Sequence, residues 1–262
     1  MTLTTHHLNI GYGSYCVQHD LNLRLEEGEM VCMLGKNGCG KSTLLRTLSG
    51  LQPALSGKIS MLHADSNYDI ATMPARQRSK YIALVLTERE SMASTRVEEI
   101  VAMGRYPYTN FMGQLSDTDK HAIQEAMSQV GVGHKHNEYF NCLSDGEKQR
   151  VLIAKAIAQQ TPLILLDEPT AHLDLPNRIH TMRLLRILAH EQKKSIIIST
   201  HELDLAMQTA DTVWLMSEQG VATGTPEELI SSGAFQQAFA DDSFTLISEN
   251  GTLRFHLNTN GH

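Results

Sequence analysis

Hydrophobic and polar positions follow strand-like and helix-like periods in turn along the chain. Residues 8–34 alternate apolar and polar side chains and end in an apolar run, which predicts strands of which the last is buried. Later apolar runs predict further buried strands at 82–86, 163–166 and 195–200. These runs are typical of strands whose two faces are both covered.

Apolar residues at helical spacing occupy the stretches between these strands. They predict helices at 43–48, 97–103, 122–130, 145–160 and 176–192. Ser116 followed by Asp119 is typical of a helix start, and Gly131 is typical of a helix end. The segment 88–143 is richer in charge than its surroundings, and we interpret it as a helical insertion.

This alternation of strands and helices predicts an α/β domain with a largely parallel sheet flanked by helices. We expect the domain to cover residues 1–230, with the helical insertion inside it. The tail at 231–262 differs in character. In it, Asn250-Gly251 separates two apolar segments and predicts a β-hairpin over about 244–257.

Composition narrows the class of protein. The 262-residue chain carries a net charge of −7, whereas a general nucleic-acid binder has a basic surplus, so we expect no nucleic-acid partner. The first residues lack the features of a signal peptide, and no apolar run is long enough to span a bilayer. We therefore expect a soluble chain that reaches a membrane only through partners. Its four cysteines lack paired-ligand spacing and are interpreted as free thiols.

A phosphate-binding loop is the first candidate site. Residues 35–42 read Gly-Lys-Asn-Gly-Cys-Gly-Lys-Ser and fit the phosphate-loop pattern between a predicted strand and a predicted helix. The glycines let backbone N–H groups point inward, and the helix presents its positive end to phosphate oxygens. Lys41 is expected to contact the β- and γ-phosphates, and Ser42 to ligate Mg²⁺. The predicted nucleotide-binding residues here are Gly35, Asn37, Gly38, Cys39, Gly40, Lys41, Ser42 and Thr43.

Two carboxylates follow the apolar strand at 163–166. Asp167 and Glu168 come at its carboxyl end, where open α/β sheets bind their ligands. Asp167 is placed to hold Mg²⁺, and Glu168 to orient and deprotonate the attacking water. His201 could bond the γ-phosphate or position that water, although a single histidine at a strand end is more often structural. The predicted catalytic residues are Glu168, His201 and Lys41.

Residues 143–150 carry the most specific motif. They read Leu-Ser-Asp-Gly-Glu-Lys-Gln-Arg and resemble the signature sequence of ATP-binding cassette (ABC) ATPases, whose usual form is Leu-Ser-Gly-Gly-Gln. Six motifs in that family's order make the resemblance specific over about 8–229. They are Tyr12, the phosphate loop, the signature at 143–147, the strand ending in Asp167 and Glu168, the segment 171–174, and His201.

The resemblance implies a fold and a mode of action. A P-loop NTPase core would carry an N-terminal antiparallel β subdomain and the inserted helical subdomain. Two copies would form a homodimer that holds two ATP molecules, with Mg²⁺, at its interface. In such a dimer Tyr12 would stack on adenine, the segment 171–174 would cross the interface, and His201 would be the switch histidine. The signature residues expected to meet the γ-phosphate of the other copy's ATP are Ser144, Gly146 and Glu147.

The chain departs from the family pattern just after the strand at 82–86. Thr87 stands where the family has a glutamine that touches Mg²⁺ and the attacking water. Glu88 beside it is a partial substitute for that glutamine. We therefore predict both as metal-site residues.

The signature departs from the pattern too, because Asp145 and Glu147 each add a carboxylate. Ser144 and Glu147 form a capping-box pattern, so helix capping and phosphate sensing both apply to them. Asp145 brings negative charge toward a polyphosphate unless its side chain points away or Lys148 and Arg150 offset it.

The stretch 103–108 reads Met-Gly-Arg-Tyr-Pro-Tyr and resembles the Gly-Arg-x-Pro stretch of one importer subgroup, which powers uptake of iron–siderophore complexes, haem and cobalamin. A helix end followed by a proline-terminated loop is the structural alternative. The subgroup implies polytopic membrane permease subunits at the cytoplasmic face of the bacterial inner membrane, and indirectly a substrate-binding protein. Two further alternatives are an ABC ATPase for another substrate or for export, and an ATP-dependent dimerisation switch uncoupled from transport.

Overall fold

The computed structural model describes residues 1–86, 94–239, 244–249 and 252–257, so Thr87 and Glu88, predicted above as metal-site residues, lie outside the described residues. In chain order its strands are β1 (Thr2–Tyr12), β2 (Tyr15–Leu21), β3 (Arg24–Leu25), β4 (Met30–Gly35), β5 (Ser56–His63), β6 (Ser66–Asp69), β7 (Ile82–Val85), β8 (Leu163–Asp167), β9 (Ser195–Ser199), β10 (Thr212–Ser217), β11 (Gly220–Gly224), β12 (Phe244–Glu249) and β13 (Thr252–Leu257). Its helices are α1 (Lys41–Leu48), α2 (Ala75–Arg78), α3 (Val97–Ala102), α4 (Asp117–Gln129), α5 (Asp145–Ala158), α6 (Leu175–His190), α7 (Leu203–Thr209), α8 (Pro226–Ser231) and α9 (Ala234–Ala238).

Among the described residues, six strands form a central sheet in the order β11-β10-β4-β9-β8-β7. All neighbours in it are parallel except the edge pair β10 and β11. Alternate side chains of β4 enter two cores, with Met30 and Cys32 on one face and Val31 and Met33 on the other. Burial on both faces is the reason for the uninterrupted apolar runs. The predicted, mostly parallel sheet is confirmed.

A second, antiparallel sheet covers one face of the central one. Its order is β2-β1-β5-β6, with β3 also paired to β1. Leu8 and Ile10 of β1 are fully buried and share a core with Leu44 and Leu45 of α1. The antiparallel β subdomain that the family resemblance implied is therefore confirmed. It packs α1, and with it the phosphate loop, onto the central sheet.

The inserted segment is helical where the structure describes it, and α3, α4 and α5 pack on one another. Ser116 caps α4, because its hydroxyl accepts a hydrogen bond from the Asp119 N–H and the Asp119 carboxylate accepts one from the Ser116 N–H. Gly131, with φ +75°, follows the helix end. Both predicted helix ends are confirmed, although α4 begins five residues before the predicted helix at 122–130 because its capping box starts it at Asp117.

The tail is continuous with the main core as far as α9. Helix α8 spans position 230, and Phe235 of α9 is fully buried among the residues that cover the central sheet. The domain division at residue 230 stays a prediction. β12 and β13 are paired antiparallel, which confirms the predicted hairpin, while Asn250-Gly251 between them lies outside the described residues.

Candidate active site

The phosphate loop leaves β4 at Gly35 and leads directly into α1. Gly35, Gly38 and Gly40 have φ angles of +156°, +81° and +104°, a region that favours glycine. A Cβ atom at Gly35 would lie 2.4 Å from the Met216 carbonyl oxygen and 2.7 Å from Cys39 Sγ. The loop can therefore follow this path against β10 only with glycine at its first position.

Lys41 is the first residue of α1 and is only 6% exposed. Its ammonium donates hydrogen bonds to the carbonyl oxygens of Gly35 at 2.8 Å and Lys36 at 3.2 Å. The loop carbonyl groups therefore hold the Lys41 ammonium against the loop backbone, at the positive end of α1. The Lys41 ammonium and the positive end of α1 therefore meet where the sequence predicts phosphate binding. Asn37 forms part of the exposed tip of the same loop.

Gln18 is a buried residue that braces this loop and that no motif singles out. It is 2% exposed, and its Nε2 donates to the carbonyl oxygens of Cys39 at 3.0 Å and Ser217 at 2.7 Å. Gln18 thereby ties the phosphate loop to the end of β10. A polar residue at an inward-facing position of a predicted strand was the signal that could have identified it.

Tyr12 ends β1 beside the first turn of α1. Its hydroxyl lies 3.1 Å from Thr43 Oγ1, and the residue is 54% exposed. An open aromatic ring therefore lies next to the helix that follows the phosphate loop. Its contact with adenine stays a prediction.

Asp167 lies in a hydrogen-bonded cluster at the carboxyl edge of the central sheet. Its Oδ1 accepts hydrogen bonds from Ser42 Oγ at 3.1 Å and from Ser199 Oγ at 2.5 Å. Asp167 is 8% exposed and Ser199 is fully buried. Because β8 and β9 are neighbours, their register places Asp167 opposite Ser199, which sequence reasoning had missed.

Glu168 leaves β8 with φ +48°, an uncommon conformation for a residue other than glycine. Its N–H is held by the Ser199 carbonyl oxygen at 3.1 Å and by the Ser199 hydroxyl at 3.0 Å. Its carboxylate contacts Nε2 of His201, which follows β9. Both side chains remain partly exposed, so the pair is open to solvent beside the buried Asp167. Such held, uncommon backbone conformations concentrate at functional sites.

The signature segment starts α5 with the predicted capping box. Ser144 Oγ accepts from the Glu147 N–H at 3.3 Å and donates to Glu147 Oε2 at 2.8 Å. The hydrogen bond from the Ser144 backbone, then that from its hydroxyl and the nearby charge of Lys135, hold the pKa of Glu147 below its ordinary value. The same hydrogen bonds that favour the ionised form of Glu147 are those of the capping box.

Asp145, the other added carboxylate, lies next to a cation. Lys148 Nζ is 3.5 Å from Asp145 Oδ1, so the predicted offset by Lys148 is present. Arg150 Nη1 donates to Asn177 Oδ1 at 3.1 Å. Gly146 lies against the same asparagine, since a Cβ atom there would be 2.9 Å from the Asn177 amide carbon.

The structure brings together one group of predicted residues and leaves another apart from it. The group at the carboxyl edge of β4, β8 and β9 comprises Lys41, Ser42, Asp167, Glu168 and His201. The side-chain hydrogen bonds and ion pairs of Ser144 and Glu147, within the part of the chain that the structure describes, stay between residues 135 and 147. The contacts of Ser144 and Glu147 are therefore distinct from those at the phosphate-loop edge.

The fold and this site define a P-loop nucleoside triphosphatase. The family model described as ABC transporter matches residues 18–171. An uncharacterized ABC transporter ATP-binding protein of Methanocaldococcus jannaschii is 36% identical over 229 residues, which cover 87% of this chain and 78% of that protein. The iron(3+)-hydroxamate import ATP-binding protein of Bacillus subtilis is 33% identical over 247 residues, which cover 92% and 89%.

Solved structures agree with this assignment. A chain assigned to the metal-chelate type of ABC transporter, in an inward-facing conformation, is 28% identical with a TM-score of 0.80. The match covers 98% of this chain and 96% of that one. This chain belongs to the ABC transporter family and is an ATP-binding cassette with ATPase activity. The family resemblance inferred from the motifs is confirmed.

We expect alkylation of Cys39 to abolish ATP hydrolysis and bound nucleotide to slow the alkylation. Cys39 is a half-buried residue of the phosphate loop, with Sγ 4.0 Å from Lys41 Nζ. Burial raises the pKa of the Cys39 thiol more than the nearby lysine lowers it. Because only the thiolate reacts, labelling by iodoacetamide should speed up between about pH 7 and about pH 9. Mass spectrometry measures the rate with and without ATP.

The control for this experiment is the Cys39→Ser variant, whose ATP hydrolysis should resist iodoacetamide. Full activity of the wild type after mass spectrometry confirms complete modification of Cys39 would contradict the placement of nucleotide at this loop.

Proposed function

We propose that two copies of this chain bind two ATP molecules head to tail, each copy completing the other's site. The separation of the signature segment from the phosphate-loop edge carries this proposal, because the Ser144 hydroxyl at the exposed start of α5 bonds, among the described residues, to Glu147 of its own segment. A γ-phosphate held near Lys41 in one copy would meet Ser144 and the positive end of α5 in the other.

Within each site, residues of the phosphate-loop edge would carry out hydrolysis. Glu168 would accept a proton from the attacking water, and His201, in contact with its carboxylate, would fix its orientation. Lys41 and the loop N–H groups would stabilise charge on the phosphates as the bond between the β- and γ-phosphates breaks. The oxygen of the water ends on the released phosphate, and ADP leaves with the bridging oxygen.

The residues around Asp167 fit a magnesium ion. Ser42 Oγ and Asp167 Oδ1 lie 3.1 Å apart beside the phosphate loop, and such oxygen atoms are the ligands that Mg²⁺ prefers. We propose that these two side chains hold the ion, which would neutralise charge between the β- and γ-phosphates when bound. Thr87 and Glu88 stay predicted members of the same metal site.

We infer that the ATPase energises import of a metal chelate, with iron–siderophore complexes, haem and cobalamin as the candidate cargoes. A relative named for iron(3+)-hydroxamate import and a structural neighbour of the metal-chelate type support this inference. The partners would be polytopic permease subunits and, indirectly, a substrate-binding protein. The cassette would bind peripherally at the cytoplasmic face of the bacterial inner membrane. None of the helices in the described ranges has both the length and the apolar character needed to span a bilayer.

The loop after α3 offers a surface for the permease. Tyr106, Phe111 and Met112 are 59%, 103% and 71% exposed, although all three are large and apolar in character. The loop that carries them is anchored, because the Arg76 guanidinium donates to the Thr109 carbonyl oxygen at 2.6 Å. Exposed apolar side chains on an anchored loop are typical of a protein interaction site.

Co-expression and co-purification with a candidate permease subunit test the import proposal. Replacing Phe111 by serine should lower recovery of the permease about tenfold, because truncating a central apolar contact costs at least that much binding. Leu62→Ser, at another exposed apolar residue, is the matched control and should leave recovery unchanged. ATP binding measured alongside checks that each variant is folded.

Transport into proteoliposomes then identifies the cargo. ATP-dependent uptake of ferric siderophore, haem or cobalamin by the reconstituted complex would support import of that class. Outward movement of substrate would instead support an exporter. A chain that dimerises with ATP, yet neither copurifies with a permease nor moves any substrate, would support the uncoupled switch.

A further inference from the structure

Arg178, in the first turn of α6, joins two parts of the site. Its Nε donates to the Leu173 carbonyl oxygen at 2.6 Å, and its Nη1 forms an ion pair with Glu202 Oε1 at 2.6 Å. The guanidinium is planar and only about one-third exposed, so these two partners fix it in one orientation. We propose that Arg178 is a positioning residue that couples the segment 171–174 to His201.

Glu202, one of the two partners of Arg178, is connected to the carboxylate of Glu168. Glu202 directly follows His201, and its N–H donates to Thr200 Oγ1 at 3.0 Å, so the peptide between them is held on both sides. The Leu203 N–H donates to the His201 carbonyl oxygen at 3.1 Å. His201 Nε2 contacts the carboxylate of Glu168. A movement of the guanidinium therefore reaches Glu168 through one ion pair and one short, held segment of backbone.

Leu173, the other partner of Arg178, belongs to the segment 171–174, which contacts the signature segment. Asp174 caps α6, because its Oδ1 accepts from the Asn177 N–H at 3.0 Å and from Asn177 Nδ2 at 2.7 Å. Asn177 Oδ1 accepts from Arg150 of α5, and Gly146 packs against the same side chain. The start of α5 and the segment 171–174 are therefore in direct contact through Asn177.

These contacts form a continuous path inside one copy, from the signature helix to the catalytic pair. The inference rests on the proposed dimer, in which the signature of one copy touches ATP held by the other. Occupancy of the neighbouring site would then set the orientation of Glu168 in this one. The expected result is positive cooperativity of hydrolysis with respect to ATP, carried by Arg178.

Replacing Arg178 by methionine removes both contacts while keeping an unbranched side chain of similar length. We expect kcat for ATP hydrolysis to fall about tenfold, while the Kd of the isolated chain for ATP stays within about twofold. The Hill coefficient for ATP should fall to about 1. Arg183→Met, an exposed position on the same helix, is the matched control and should behave as wild type.

Further variants separate positioning from simple stabilisation. Glu202→Gln keeps an acceptor for Arg178 and should retain more cooperativity than Glu202→Ala. Arg178→Lys keeps the charge but cannot span both partners, so its Hill coefficient should be intermediate. In a double-mutant cycle, Arg178→Met combined with Glu202→Ala should lose no more kcat than the worse single variant. Fully additive losses would overturn the proposal.

The readouts also separate this proposal from the dimer on which it rests. A wild-type ATPase rate per chain that is independent of protein concentration, with no ATP-dependent dimer, would overturn both. A wild type that is dimeric and cooperative, together with an Arg178→Met variant that keeps the wild-type Hill coefficient, would overturn the coupling alone. An Arg178→Met variant with a lowered melting temperature but an unchanged Hill coefficient would likewise overturn the coupling.

Discussion

Replacing Glu168 by glutamine is expected to lower kcat for ATP hydrolysis by about 10²- to 10⁴-fold, with little change in the Kd for ATP. Glutamine has nearly the shape of glutamate but cannot accept the proton of the attacking water. Its amide oxygen can still accept a hydrogen bond from His201 Nε2, and the backbone N–H of position 168 keeps its bonds to Ser199. Steady-state hydrolysis of radiolabelled ATP measures kcat, and equilibrium dialysis measures Kd.

The same variant should accumulate as an ATP-bound dimer, because hydrolysis no longer separates the copies. Size-exclusion chromatography with ATP and Mg²⁺ measures this directly. Glu191→Gln, at the exposed residue that follows the end of α6, is the matched control and should hydrolyse ATP as the wild type does. A Glu168→Gln chain within about threefold of the wild-type rate would show that Glu168 is not the general base.

Replacing Arg105 by methionine is expected to lower the free energy of unfolding by about 3–5 kcal/mol. Arg105 is 5% exposed, and its Nε donates to Asp119 Oδ1 at 2.8 Å. Its Nη1 donates to the Ala158 carbonyl oxygen and to Gln160 Oε1. Methionine would leave the Asp119 carboxylate buried without its cation, which is the costly outcome for a buried pair. Calorimetry should show a melting temperature lower by about 10 °C.

This loss of stability should depend on pH in a defined direction. The hydrogen bonds from the Ser116 hydroxyl and from its backbone N–H, and then the Arg105 guanidinium, hold the pKa of Asp119 below its ordinary value. Its contribution is therefore complete above the ordinary carboxyl pKa of about 4 and is lost as pH falls through the lowered pKa of the folded chain. The gap between wild type and Arg105→Met in urea unfolding should shrink from about pH 6 to about pH 3.

Arg183→Met is again the control, and its unfolding curve should match the wild type at every pH. A gap between wild type and Arg105→Met that stays constant into acid would show that lost packing, and not the ion pair, explains the destabilisation.

Arg105 also changes the interpretation of the stretch 103–108, whose sequence resembles one importer subgroup. A Cβ atom at Gly104 would lie 2.3 Å from the Lys155 carbonyl oxygen, so glycine lets this turn approach α5. Arg105 is buried beneath the loop that follows, with its guanidinium 4.1 Å from the ring centroid of Tyr108. The stretch therefore has a packing role that holds the exposed loop in place. Similarity over the whole chain supports the subgroup more directly than these residues do.

Residues that lie close together in the sequence determined the fold class and several site elements of this protein. The α/β class followed from apolar runs such as 163–166, because a strand buried on both faces has no place for an unpaired polar side chain. The capping box of Ser144 and Glu147 was predictable for a similar reason, since its partners are three residues apart. The phosphate loop is likewise a local arrangement of glycines between a strand and a helix.

Only the tertiary structure decided which distant side chains complete the site. Ser199 bonds Asp167, 32 residues earlier in the chain, through the register of the paired strands β8 and β9. Gln18 bonds Cys39, 21 residues later, because β2 lies beside the end of β10. Arg178 meets Glu202 because α6 packs beside the start of α7. No spacing in the sequence marks these partners, because strand order and helix packing are set by the burial of the whole core. The sequence thus determined which chemistry is present, and packing determined how its parts are connected.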